Sequence, residues 1–263
     1  MLLVMGLGMQ MPFWNDDLCA EFARAGFAVA RFDNRDVGES THLTARGTPS
    51  LAAVLAVPQL VASYRIADLA DDAAAVLDAL GWDSAHVLGT SMGGMVAQQL
   101  AIAHPRRVRS LTSVMSTPSP RVGRPTLGAA GALAARAART ADEAAERIVN
   151  TFRVIGSPGY PLDEDWLRTY GRLAFARGQD PGGARRQMAA INASPSRVSG
   201  LRGVRAPTLV VHGEADPLVR PSGGRATAAA VPGARLVTFP GMGHNLPREL
   251  WPEITREVAA LVR

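Results

Sequence analysis

Lysine is absent from this chain of 263 residues, so all 28 of its basic side chains are arginines. That absence excludes a Walker A phosphate loop, a Schiff-base lysine and a serine–lysine dyad. Cysteine is nearly as scarce. A single residue, Cys19, precludes an intramolecular disulfide and fits a cytoplasmic compartment. It lies in the helical pattern "DDLCAEFARAG", where a lone cysteine reads as a small core residue. Long apolar runs are also missing. No stretch reaches the roughly 18–20 residues of a membrane span, and the nearest, "AAVLAVPQLVA", is interrupted by Pro58 and Gln59. The opening "MLLVMGLGMQMP" is apolar but lacks a basic region and is short for a signal peptide.

Runs of like charge are lacking too. A formal net charge of +5 would suit a nucleic-acid partner, but the arginines are scattered among 23 acidic residues. No block of five or six like charges occurs and no nucleic-acid signature is visible. We expect neither a nucleic-acid nor a membrane partner. His42, His86, His104, His212 and His244 show no H-E-x-x-H or Cys/His ligand spacing, so no metal is expected.

What is present is a globular composition, 47% hydrophobic and 19% charged, long enough for one large domain or a domain with an insertion. Short β-rich apolar runs occur at Leu2–Met5, Phe27–Phe32, Ala85–Leu88, Val108–Met115, Thr208–Val211 and Leu236–Phe239. Helical periodicity falls between them, at 13–25, 66–80, 92–103, 221–230 and 249–262. Ile66, Leu69, Ala73, Val76, Leu77 and Leu80 line one helix face, and Gly81 stops that helix. Such alternation predicts an α/β fold: a mostly parallel sheet flanked by helices.

The alternation fails between about 118 and 200. That stretch is helical in pattern and carries Phe152, Tyr160, Trp166, Tyr170 and Phe175. It is too long for a loop and reads as a helical cap inserted into a core formed by 1–117 and 201–263. A second irregular insertion, 41–65, is expected beside the cap.

One junction stands out. In "HVLGTSMGGMVAQQLAIAHP" an apolar strand breaks into a glycine-rich turn holding Ser91, and a helix follows at once. Serine there could be a helix N-cap or a nucleophile lifted on a strained turn. A nucleophilic serine needs a base, and the base needs an orienting acid. Ligands gather at the carboxyl ends of parallel strands. Asp216, in "TLVVHGEADPLV", and His244, in "RLVTFPGMGHNLP", each follow a later strand. The order Ser91, Asp216, His244 is that of one hydrolase architecture.

With "GTSMGG" as nucleophile elbow, "HGEADPLV" as acid turn and "GMGHNLP" as histidine loop, the chain resembles the α/β-hydrolase fold superfamily over nearly its whole length. "VMGLGMQMPFW" and "FDNRDVGEST" are most similar to its serine-esterase branch that contains aclacinomycin methylesterase. Two positions depart from the usual pattern. Met5 stands where many members have histidine, and Asp36 replaces the usual glycine of an arginine turn, which suggests a local Arg35–Asp36 network. The chain also begins on the strand that members reach after an antiparallel hairpin, implying a shortened start or fewer strands.

The resemblance implies a carboxylic ester hydrolase needing no cofactor, with Ser91 as nucleophile, His244 as base and Asp216 as its orienting acid. The backbone N–H groups of Leu7 and Met92 would form the oxyanion hole. Phe152, Trp166 and Leu218 are the expected contacts for a small or medium apolar ester. Lactonases, C–C bond hydrolases and cofactor-free perhydrolases share the same triad. A ligand-binding receptor on this fold is the alternative of another class.

Overall fold

The computed structural model describes residues 1–133, 137–178, 180 and 182–262. The stretch 118–200 therefore includes 134–136, 179 and 181, which lie outside the described residues. Six strands form one sheet: β1 (Leu2–Val4), β2 (Ala30–Arg31), β3 (Ala85–Thr90), β4 (Val108–Val114), β5 (Thr208–Gly213) and β6 (Arg235–Phe239). Their order is β2-β1-β3-β4-β5-β6 and every pairing is parallel. All six apolar runs became strands. Only two residues of the 27–32 run join the ladder, as expected of an edge with a partner on one side.

Twelve helices occur among the described residues: α1 (Asp16–Arg24), α2 (Leu51–Ala56), α3 (Pro58–Val61), α4 (Ile66–Ala79), α5 (Met92–Ala103), α6 (Leu127–Leu133), α7 (Ala141–Ile155), α8 (Glu164–Ala176), α9 (Gly183–Ala193), α10 (Val198–Leu201), α11 (Ser222–Ala230) and α12 (Trp251–Leu261). The period-2 alternation of β1 distributes the core. Leu2 and Val4 face a cluster with Leu69, Leu77, Val96, Leu100 and Leu201, under α4, α5 and α10. Leu3 and Met5 face the opposite cluster, with Leu18 and Phe22 of α1 and Ile254 and Val258 of α12. β5, with every residue buried, reads as a continuous apolar run because helices cover both faces.

Between β4 and β5 the described chain is helical. Asp142 and Glu143 open α7 after Thr140, whose side chain accepts Glu143 N–H, and Asp163 caps α8 likewise. The facing sides of α7 and α8 bury Val149, Phe152, Ile155 and Leu167 in a separate small core. The last helix of the stretch, α10, packs on α5 and α11. The irregular 41–65 insertion contains two short helices, α2 and α3, which pack against α9. Each is under two turns, too short to show periodicity in the sequence. No described helix is long and apolar enough to cross a membrane.

The Arg35–Asp36 pairing suggested by the sequence is not formed. Arg35 reaches α4, holding both oxygens of Asp72 at 2.6 Å. Asp36 turns the other way. It accepts from Arg186 of α9 at 2.8 and 2.9 Å, from the Tyr64 hydroxyl at 2.7 Å and from Leu43 N–H at 2.7 Å. Its φ of 72° explains the divergence: a left-handed residue points its side chain away from its neighbour's, and aspartate tolerates that conformation better than most residues do.

Candidate active site

Three loops converge at the carboxyl ends of β3, β5 and β6. Ser91 follows β3 directly, with φ 55° and ψ −120°, a conformation costing about 1–3 kcal/mol for a residue with a Cβ. Backbone contacts explain how it is held. Ser91 N–H donates to Val114 O at 2.9 Å, and the Ser116 hydroxyl donates to Ser91 O at 2.7 Å. Gly93 is obligatory, since a Cβ there would fall on Val4 O. The Ser91 side chain caps nothing in α5. It points instead to His244, with Oγ 2.9 Å from Nε2.

His244 is buried, and its Nδ1 lies 2.7 Å from Asp216 Oδ2. A carboxylate only accepts, so Nδ1 carries the proton and Nε2 offers its lone pair to the serine hydroxyl. Asp216 is also buried, and its Oδ1 accepts Leu218 N–H and Val219 N–H, both at 2.9 Å. These bonds fix the carboxylate plane toward the imidazole. His212, at the end of β5, supports the same turn: its Nε2–H donates to Val219 O at 2.7 Å and lies 3.7 Å from Asp216 Oδ2. Burial holds the His212 imidazole below its ordinary pKa, despite the favourable Val219 and Asp216 contacts. Nothing in the spacing of the sequence singles out His212. Its place at the head of the acid turn "HGEADPLV" was the one available signal.

The backbone after β1 runs beside the serine. A Cβ at Gly6 would come 3.2 Å from Ser91 Cβ and 3.8 Å from Oγ. Leu7 follows it. On the other side, Met92 N–H opens α5, where helix geometry supplies no internal acceptor. Gly6, the residue before Leu7, and Met92 therefore both border Ser91.

Ser91 and His244 open into a cavity of about 1230 Å³. Its walls are chiefly apolar, and include Met5, Leu7, Met95, Met115 and Trp251 from the core side. Phe152, Trp166 and Leu218, singled out from the sequence, all line it. Phe13, which sequence reasoning missed, stands at the centre of the aromatic group. Its ring lies 5.3 Å from Phe152, 5.0 Å from Trp166 and 4.9 Å from Tyr170. The expected helix over 13–25 in fact starts at Asp16 behind an Asn15 cap, which leaves Phe13 in the preceding 3-10 turn, Met11–Phe13, free to face the cavity.

Among the described residues, ligand atoms of Asp36, His42 and Asp180 lie within 4.8 Å of one another. Arg186 pairs with both carboxylates, so a guanidinium already meets their charge.

Over its whole length, the chain is 28% identical across 287 aligned residues to the rhodomycin D methylesterase of Streptomyces sp. (strain C5), of which it covers 90%. Its fold matches that of a hydrolase from Pseudomonas aeruginosa PA01 with a TM-score of 0.69 at 25% identity, over 99% of this chain and 87% of that one. It likewise matches the enol-lactonase from Burkholderia xenovorans LB400, with a TM-score of 0.72 at 23% identity, over 99% and 90% of the two chains, a likeness of fold alone. With a six-stranded parallel sheet between helical layers, and a family model matched over residues 1–247, the chain belongs to the alpha/beta hydrolase fold family.

Proposed function

We propose that the protein is a serine hydrolase that cleaves a carboxylic ester through an acyl-enzyme on Ser91. The observation that carries this reading is the unbroken chain Asp216–His244–Ser91, at 2.7 and 2.9 Å, opening into an apolar cavity. The full-length relative whose name is a methylesterase supports an ester over other acyl bonds.

His244 Nε2 takes the hydroxyl proton as Ser91 Oγ adds to the ester carbonyl. Asp216 stabilises the imidazolium that results and keeps its tautomer. The oxyanion receives the N–H groups of Leu7 and Met92, each such donor typically contributing about 2.7–4 kcal/mol. The C–O bond to the alcohol then breaks and His244 returns the proton to the leaving oxygen. Water, deprotonated by the same imidazole, releases the acid and regenerates Ser91. Every group needed belongs to the protein, so we propose no metal or other cofactor.

Residues 118–200 serve in this reading as the helical cap, with α6–α9 as its roof over a core of 1–117 and 201–263. Phe152, Trp166 and Leu218, with Phe13, would bind the apolar part of the ester. The cavity volume of about 1230 Å³ favours a medium-sized or larger substrate body.

A panel of p-nitrophenyl esters of rising acyl length tests the proposal, together with a fluorophosphonate probe. Wild-type protein should turn over repeatedly and be labelled at Ser91 alone. Ser91→Ala should lose about 10⁶-fold in rate if the three residues act as a unit, and Asp216→Asn about 10⁴-fold through the wrong histidine tautomer. A burst of one equivalent with no further turnover would instead indicate a binding protein, and near-normal activity in Ser91→Ala would refute the mechanism.

A further inference from the structure

We propose that the helical segment between β4 and β5 is also a jig for the chemistry, with Ser157 and Gln187 as positioning residues for the histidine loop and the oxyanion loop. This rests on the reading of Ser91 as nucleophile. Both loops lack regular secondary structure, so their peptide groups must find partners elsewhere. One stretch of chain, the end of α7 through α9, supplies partners to both.

At the histidine loop, His244 N–H donates to Ile155 O at 2.7 Å. The Ser157 hydroxyl accepts Gly243 N–H at 2.8 Å and donates to Asn245 Oδ1 at 2.6 Å. One buried hydroxyl thus brackets the base from both sides. Gly159 N–H donates to Gly241 O at 3.0 Å, and a Cβ at Gly243 would fall on Gly156 O. The two backbones are in contact, with no room for the imidazole's loop to shift while the segment stays docked.

At the oxyanion loop, Gln187 of α9 is fully buried. Its Oε1 accepts Gly8 N–H at 2.8 Å and its Nε2 donates to Arg35 O at 2.8 Å. With both ends of the amide engaged, a single side-chain orientation is possible. Asn34 Nδ2 holds the same loop from the other side by donating to Met5 O at 2.9 Å. Leu7, the expected oxyanion donor, lies between these two anchors. The helix carrying Gln187 is itself pinned one residue earlier by Arg186, which grips Asp36 and Asp180.

A jig differs from ordinary packing in what its loss does. Loosened packing lowers the melting temperature and leaves the rate of the folded enzyme unchanged. A displaced base or donor lowers kcat, since about 1 Å of misplacement can cost about 10²-fold. Gln187→Met and Ser157→Ala in the full chain should each lower kcat on p-nitrophenyl esters, by about 10²-fold at Gln187 and less at Ser157, with KM little changed. Ser157→Thr, which keeps the hydroxyl, should recover most of the rate. Gln187→Glu keeps the acceptor for Gly8 but sets a carboxylate oxygen against Arg35 O, where the amide donated, so it should lose rate as Gln187→Met does and takes its place if Gln187→Met fails to fold. Amide hydrogen exchange at Gly8 and Gly243 should quicken in Gln187→Met and Ser157→Ala respectively. Unchanged kcat in the folded variants, or unchanged exchange at both amides, would overturn the jig. A wild type that turns over no ester overturns the hydrolase reading instead, and the exchange measurement still decides whether these side chains hold the two loops.

Discussion

Arg186 and Asp36 meet as a two-pronged ion pair across 150 residues of sequence, both side chains withdrawn from solvent. The pair ties α9 to the loop after β2. Burial opposes ionisation of Asp36, but the Arg186 and Tyr64 contacts outweigh it and hold the carboxyl below its ordinary value. Asp180, also partly buried, is lowered by Gly182 N–H, His42 and the same arginine. Removing one member of a buried pair leaves the other uncompensated. Asp36→Asn should therefore cost about 3 kcal/mol, the lower end of the usual range because Asp180 remains. A denaturant titration at neutral pH checks it. Both carboxyls contribute stability that is present above the unfolded value near 3.8 and lost as pH falls through the lower folded values. The difference between wild type and Asp36→Asn should therefore shrink on acidification below about pH 3.8.

Gly6→Ala should fold and lose activity. The new Cβ would sit 3.2 Å from Ser91 Cβ and 3.4 Å from Thr90 O, close enough to displace the nucleophile but not the sheet. A fall in kcat of up to about 10²-fold with an unchanged melting temperature is expected. Gly93→Ala, whose Cβ would fall on a strand carbonyl, should fail to accumulate as folded protein.

Phe152 and Trp166 should separate. Phe152 is 6% exposed and packs with Val149 and Leu167, so Phe152→Ala should destabilise by about 3–5 kcal/mol. Trp166 is half-buried and lines the cavity. Trp166→Ala should shift the acyl-length preference on the ester panel with little change in melting temperature.

His212 makes stability depend on pH above the acid range. The buried ring is faced by Asp216, His244, Arg225 and Val219 O, and burial keeps its folded pKa below the ordinary 6.5. Its Nδ1, bearing the lone pair, meets no donor among the described residues. The unfolded chain takes up a proton below 6.5 that the folded chain resists, so stability is full above 6.5 and declines as pH falls toward the folded value. The melting temperature should drop between pH 7.5 and 5.5, and the drop should be smaller in His212→Gln. It will not vanish, because burial beside Arg109 pushes His86 the same way.

The strands were legible as short apolar runs, and α4 and α5, which leave a periodic trace, matched their expected spans to within a residue. Ser91, Asp216 and His244 were legible because sheet topology places strand ends together without knowledge of any side-chain contact. Arg186, Gln187 and Ser157 were not. Apart from Asp180, which is six residues from Arg186, the partners named above lie 86 to 179 residues away, and a glutamine in a helix or a serine in the turn after one has no local pattern that names a distant partner. Phe13 was missed for a subtler reason: its apolar neighbours suggested a helix start that Asn15 in fact delays.

The bonds that complete the site close very long loops. Ser91 and His244 are 153 residues apart, Gly8 and Gln187 are 179, and Ser157 and Gly243 are 86. Loop-closure entropy must be met before such contacts reward the chain. On refolding, the local βα units can therefore form while the base and the oxyanion loop still lack their anchors. On the proposed reading, ester turnover should then return later on refolding than helical structure does.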